Sequence, residues 1–217
     1  MTDEADLREQ LVYVMRTMAE RGLNRGTSGN VSARLGLGML VTPSGVTPDR
    51  LTPEAMVEMD GEGRAAPGAL KPSSEWRMHH GLYTRRPDVC AVVHCHARHA
   101  TILACVGRPI PPMHYMVAVG GKASIPLAPY ATFGTDALAR GVVQALDGGQ
   151  ACLMANHGLI VASTDLERAL AIAEEVEEQA AVYWGALAIG GPNVLSEAQM
   201  VEVFQQFQAY GQTASPA

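Results

Sequence analysis

Lysine is nearly absent from these 217 residues. Only Lys71 and Lys122 occur, and the other basic residues are arginine. One lysine stands beside a proline and the other in a Gly-Gly-Lys turn, so chemistry that needs a lysine Schiff base is poorly provided for. Basic charge as a whole is also short. Sixteen basic residues face 22 acidic ones, for a net charge of −6, which is not the electrostatic footprint of a nucleic-acid binder. No apolar run reaches the roughly 18 residues of a spanning helix. The acids in Met1-Thr2-Asp3-Glu4-Ala5-Asp6 are the opposite of a secretory leader's basic start. These absences predict a soluble, cytoplasmic protein with neither a membrane nor a nucleic acid as partner. The four cysteines, Cys90, Cys95, Cys105 and Cys152, form no C-x-x-C pair and lie in apolar stretches, so buried reduced thiols are expected.

What is present suffices for a core: 47% of residues are hydrophobic and 18% charged, which excludes disorder. The length suits one compact unit, and no repeat, linker or charge block divides the chain. Leu7, Leu11, Val14, Met15 and Met18 recur at helical spacing, giving a first amphipathic helix that ends near Gly22. A hairpin is expected from Val31–Leu35 and Met39–Thr42, then a short helix capped by Thr52 with Pro53 at its first position, and a short strand at Val57–Asp60. The pattern is helical from Ser74 to Arg86, strand-like from Cys90 to His96, and helical again to Val106. Thr135 caps a helix carrying Leu138, Val142, Val143 and Leu146. Two short apolar strands then flank Asn156-His157-Gly158, which reads as a hairpin turn. Thr164 with Glu167, and Ser196 with Gln199, read as capping boxes opening the last two helices. In the second of these, Met200, Val203, Phe204 and Phe207 mark the buried face. Helices interleaved with short strands and tight turns predict one α/β domain with a mixed or antiparallel sheet.

The chemistry concentrates in a few residues. His94 and His96 are two apart in a strand-like run, so both imidazoles project from one face of the pleat and Cys95 from the other, which excludes Cys95 as a ligand. His157 is the third candidate, held in a turn between two strands. Three neutral imidazoles with one open position form the arrangement of a catalytic zinc site. His79, His80, His99 and His114 lack this geometry. The first two are read as solvated, and His99 as a candidate for the outer shell of the metal. Ser73-Ser74-Glu75 stands at a helix start, where free N–H groups favour an anion and the next residue adds a carboxylate. The small-residue turns Gly29-Asn30 and Ser44-Gly45 offer further N–H groups to the same kind of ligand. On residues alone, a hydrolase using zinc-activated water remains compatible with three histidines and a glutamate.

Seven segments, in order through nearly the whole chain, sharpen this reading. They are Gly29-Asn30-Val31-Ser32, Thr42-Pro43-Ser44-Gly45, Pro72-Ser73-Ser74-Glu75-Trp76, Ala91-Val92-Val93-His94-Cys95-His96, His114-Tyr115-Met116, Ala128-Pro129-Tyr130-Ala131-Thr132-Phe133-Gly134-Thr135 and Asn156-His157-Gly158-Leu159. Together they resemble the class II sugar-phosphate aldolases of the fuculose phosphate aldolase family. The resemblance implies a three-layer fold over residues 1–217, with residues 196–217 as a C-terminal helix and mobile tail. It implies one zinc ion per subunit on His94, His96 and His157, with Glu75 a ligand at rest and an acid/base once substrate arrives. Gly29, Asn30, Ser44, Gly45, Ser73 and Ser74 would hold the substrate phosphate. Tyr115, supplied across a subunit boundary, would serve the aldehyde end, and Tyr210 would close over the site. The implied reaction is reversible cleavage of a ketose 1-phosphate, such as L-fuculose 1-phosphate, to dihydroxyacetone phosphate and a small aldehyde such as L-lactaldehyde, by a homotetramer with sites at its interfaces.

Asn156 and Ser44 depart from the fuculose phosphate pattern, which has histidine and threonine there. Both keep hydrogen-bonding capacity, so they bear on specificity before reaction class. Superfamily epimerases carry aspartate where this chain has Glu75. A related sugar-phosphate dehydratase or decarboxylase would use the same metal and cradle, whereas an adducin-like scaffold would leave the metal histidines without purpose.

Overall fold

The computed structural model describes residues 3–209. Its elements are α1 (Glu4–Glu20), β1 (Asn30–Leu35), β2 (Gly38–Val41), β3 (Val57–Met59), α2 (Trp76–Arg85), β4 (Ala91–Cys95), α3 (Arg98–Cys105), β5 (Leu127–Ala128), α4 (Asp136–Leu146), β6 (Ala151–Met154), β7 (Gly158–Ser163), α5 (Leu166–Ala188) and α6 (Glu197–Ala209), with a 3₁₀ helix at Tyr115–Gly120. The strands form one sheet in the order β3-β2-β1-β4-β7-β6-β5. Every pairing is antiparallel except β5 with β6. The mixed sheet expected from the short strands is thus the one observed.

Alternation along the central strands divides the interior into two layers. Val31, Ala33, Ala91, Val93, Cys95, Leu159 and Val161 join the apolar cluster built with α1, α3 and α5. Val92, Ile160 and Ala162 join the opposite cluster, with Met78 and Leu82 of α2 and Leu138 and Val142 of α4. His94 shares the parity of Val92 and so faces the α2 layer, while Cys95 is buried in the other, as the pleat requires. The polar residues of the site therefore lie between the sheet and α2.

Several local expectations change. Cys95 and Cys152 are buried, but Cys90 and Cys105 are exposed because each lies at the end of an element, beyond the apolar cluster; all four are free. Helix α5 is capped by Asp165, whose carboxylate accepts the Arg168 N–H at 2.7 Å; Thr164 instead donates to Asp165, because a carboxylate out-competes a hydroxyl for the helix N–H. Pro53–Ala55 is one turn of 3₁₀ helix without a side-chain cap from Thr52. The reciprocal bonds of Ser196 and Gln199 do open α6, but of its expected apolar face only Met200 is buried. Tyr210 and the tail lie outside the described residues.

The largest correction is His79, read as solvated and in fact 0% exposed. One helical turn after Glu75, it points from α2 onto the sheet, where Asn30 and Ser32 receive it. Burial, with the neighbouring charge of His94, pushes its pKa down from 6.5 to about 3, against a smaller opposing effect of Glu75. Unfolding releases an imidazole that takes a proton the folded chain refuses. Stability is then fully present above pH 6.5 and is lost as pH falls toward 3. His79→Gln should flatten the acid-side decline by up to about 1.4 kcal/mol per pH unit, read as unfolding free energy from urea titrations across this range.

Candidate metal centre and active-site cleft

Three histidines from two neighbouring strands and a glutamate from the opposing helix start converge at one point. His94 is the fourth residue of β4, His96 follows the strand's end, and His157 occupies the β6–β7 turn. That turn is tight: Asn156 adopts φ 55, in the left-handed region, and Gly158 lies so close to β4 that a Cβ there would fall 2.5 Å from the Cys95 carbonyl oxygen. Glycine at this position lets His157 approach the other two rings. The three ring centroids are 4.8 to 5.1 Å apart.

The donor atoms define what the point can bind. The His94 Nδ1–H donates to the Leu159 carbonyl at 2.9 Å, which leaves Nε2 as the ring atom turned to the cluster. That Nε2 lies 3.1 Å from His96 Nε2 and 3.2 Å from Glu75 Oε2, and His157 Nε2 lies 3.1 Å from Glu75 Oε1. Glu75 Oε1 is buried, and apart from the His157 ring nitrogen no polar group reaches it with hydrogen-bond geometry. All four ligand atoms lie within 4.8 Å of one another. Lone pairs turned toward each other in a buried space repel unless a cation lies between them, so the residues present fit a divalent metal of the nitrogen-and-oxygen-binding kind. Burial would raise the Glu75 pKa, but His94 and His157 outweigh it and hold the carboxyl far below the usual carboxylate range. Burial, reinforced by the two other imidazoles, lowers His96 to about 4, which keeps a ligand lone pair free near neutrality. Of the other histidines, His99 is bonded to Glu177 and takes no part in the metal cluster.

Above the cluster opens a cleft of about 350 Å³. It is lined by Gly29, Asn30, Ser44, Gly45, Ser73, Ser74, Glu75, His96 and His157, together with Tyr130 and Phe133. The loops carrying these residues are tied to one another: the Ser44 N–H donates to the Lys71 carbonyl and the Ser73 N–H to the Thr42 carbonyl. Gly29 has φ 77, and any Cβ there would collide with the side chain of Asn24 at 2.1 Å. Asn24 in turn accepts the His96 backbone N–H at 3.0 Å. This buried Asn24 was missed from sequence; its only signal was an asparagine in a turn between helix and strand. Tyr115 does not line the cleft. It is half exposed in a groove of about 940 Å³ shared with Met116, Val119, Leu195, Val203 and Phe207.

Titrating the metal-free chain with zinc should show one tight site. His157→Ala should weaken it by more than the roughly 10–100-fold typical of losing an outer partner of a ligand, as read by competition with a chromogenic chelator.

Among the described residues no helix is long and apolar enough to cross a membrane. Residues 9–184 match the family described as the Class II Aldolase and Adducin N-terminal domain. Over 208 residues the chain is 48% identical to the 5-methylthioribulose-1-phosphate/5-deoxyribulose-1-phosphate aldolase of Rhodospirillum rubrum, covering 96% of this chain and 94% of that one. Over 206 residues it is 47% identical to the L-fuculose phosphate aldolase of Escherichia coli K12, covering 94% and 95%. A solved structure of an L-fuculose 1-phosphate aldolase superimposes with a TM-score of 0.90 at 37% identity, covering 94% of this chain and 96% of that one. Sequence, fold and ligand set agree: the chain belongs to the class II aldolase and adducin N-terminal domain family.

Proposed function

We propose that this class II aldolase carries zinc on His94, His96 and His157 and reversibly cleaves a ketose 1-phosphate to dihydroxyacetone phosphate and a short aldehyde. The reading is carried by one observation, the meeting of three imidazole nitrogens and one carboxylate at the floor of a cleft walled by small polar turns. An aldol cleavage must stabilise the electron pair left beside a carbonyl, and the scarcity of lysine leaves the metal to supply that Lewis acidity.

The chain's own residues supply the rest. Gly29, Asn30, Ser44, Gly45, Ser73 and Ser74 hold the phosphate beside the start of α2, where small polar side chains line the cleft and the helix dipole favours an anion. Glu75, kept ionised, ligates the metal at rest and moves a proton once substrate arrives. In cleavage, the ionised Glu75 carboxylate takes up the proton that the hydroxyl on the aldehyde side gives up as the carbon–carbon bond breaks. The bonding pair passes to the ketone side, where Glu75 returns a proton to carbon. Tyr115 stands outside its own cleft, and we read it as serving the aldehyde oxygen in a neighbouring subunit of a homotetramer. Tyr210 is proposed to close over the site, within a single domain whose last helix begins after Ser196.

L-Fuculose 1-phosphate, 5-methylthioribulose 1-phosphate and 5-deoxyribulose 1-phosphate share the phosphate and ketone ends and differ at the aldehyde end. A panel of the three, with zinc removed and restored and products identified by mass spectrometry, tests the reading. Zinc-dependent release of dihydroxyacetone phosphate supports it; a dehydrated or decarboxylated product overturns it. Glu75→Gln should keep the metal yet lose about 10² to 10⁴ in turnover, measured by steady-state kinetics alongside metal analysis.

A further inference from the structure

Behind Glu75 a line of buried polar groups runs down the interface between α2 and the sheet. Glu75, His79 and Tyr83 recur every four residues and so share one helix face, opposite Asn30 and Ser32, which share one face of β1. The contacts alternate between the two elements. Asn30 Nδ2 lies 3.0 Å from Glu75 Oε2, Asn30 Oδ1 lies 2.6 Å from His79 Nε2, His79 Nδ1 lies 2.7 Å from Ser32 Oγ, and Ser32 Oγ lies 2.7 Å from the Tyr83 hydroxyl. His79 and Ser32 are 0% exposed, Asn30 and Tyr83 5%.

Donor and acceptor roles along this line follow from its upper end. A carboxylate can only accept, so Asn30 must turn its NH₂ toward Glu75 and its carbonyl oxygen toward His79. His79 must then carry its proton on Nε2, which makes Nδ1 an acceptor and Ser32 its donor. The Ser32 oxygen is left to accept from Tyr83. Every proton in the line therefore points toward Glu75. The opposite His79 tautomer would turn the Asn30 oxygen onto the carboxylate, two acceptors face to face in a buried space.

We infer that His79 is a positioning residue. As the neutral Nε2–H tautomer held by Ser32 and Tyr83, it fixes the side-chain amide of Asn30 so that a donor faces the Glu75 carboxylate and sets its orientation in the cleft. The inference rests on the aldolase reading for its effect on turnover, but not for its hydrogen-bond polarity.

Two measurements separate these. The first is kinetic, on zinc-loaded full-length protein with whichever ketose 1-phosphate the wild type cleaves. His79→Leu removes both ring bonds and is expected to lower kcat by about 10–100-fold. His79→Gln can place an amide N–H near the original Nε2 and recovers most of the loss. His79→Asn reaches only the Ser32 side and does not. In an Asn30→Ala background His79→Leu costs little further, because its effect passes through the missing amide. Equal activity of the Gln and Asn variants, or multiplicative losses in the double variant, overturns the inference. Because the Gln and Asn variants carry the comparison, it stands even if His79→Leu fails to fold.

The second is histidine ¹⁵N NMR of the wild type, with His79 assigned by its loss in His79→Gln. A neutral Nε2–H tautomer, with and without zinc, supports the inference, and an Nδ1–H tautomer overturns it. If the wild type cleaves no ketose phosphate, the aldolase reading fails while the tautomer still decides the polarity of the line.

Discussion

Three imidazole nitrogens and one carboxylate aimed at a single point make a constellation whose negative and lone-pair density a divalent cation fits. The rest of the site is arranged around that constraint. His94 is locked in one tautomer by the Leu159 carbonyl of the adjacent strand, so the backbone pairing that builds the sheet also prepares a ligand. Gly158 allows the β6–β7 turn to press onto the end of β4, and without that approach His157 would stand too far out to join the others. Glu75 arrives from a different layer altogether, carried at the start of a helix that packs across the strand bearing His94.

The same helix connects two kinds of chemistry. Its N-terminal end, with the loops at Gly29–Asn30 and Ser44–Gly45, forms a neutral, hydrogen-bond-rich wall suited to an anion. Its inward face continues below Glu75 as the polar line through His79 and Tyr83. Buried polar groups of this sort are stabilising only when each is satisfied, and here every member has its partner with a consistent direction of donation. A fully apolar interface would pack as well. It would not hold a carboxylate in one orientation beside a metal.

The groove beside Tyr115 shows a different economy. Its apolar lining from the 3₁₀ helix and α6 leaves Tyr115 half exposed and Met116, Val119, Val203 and Phe207 only partly covered, none of them among the buried residues of the two core clusters. A residue of the family motif stands there, outside the cleft of its own chain, which is why an interfacial role for Tyr115 is part of the proposed function.

Much of this was legible in the residues themselves. Alternation placed His94 and His96 on one face and Cys95 on the other, and the helix-start signature at Ser73-Ser74-Glu75 marked both the cradle and its carboxylate, because periods of 2 and 3.6 are fixed by backbone geometry. Other features were not legible, since they depend on what lies opposite. His79 looked like any helical histidine until the sheet supplied Asn30 and Ser32. Asn24 looked like turn residue until it was found holding the backbone of His96, and Cys90 and Cys105 shared apolar surroundings in sequence but not in space. The sequence by itself determined which side chains share a face and which chemistry they can perform. Tertiary packing decided which of them are buried together, because burial and hydrogen-bond partnership are properties of two surfaces, and a chain read alone shows only one.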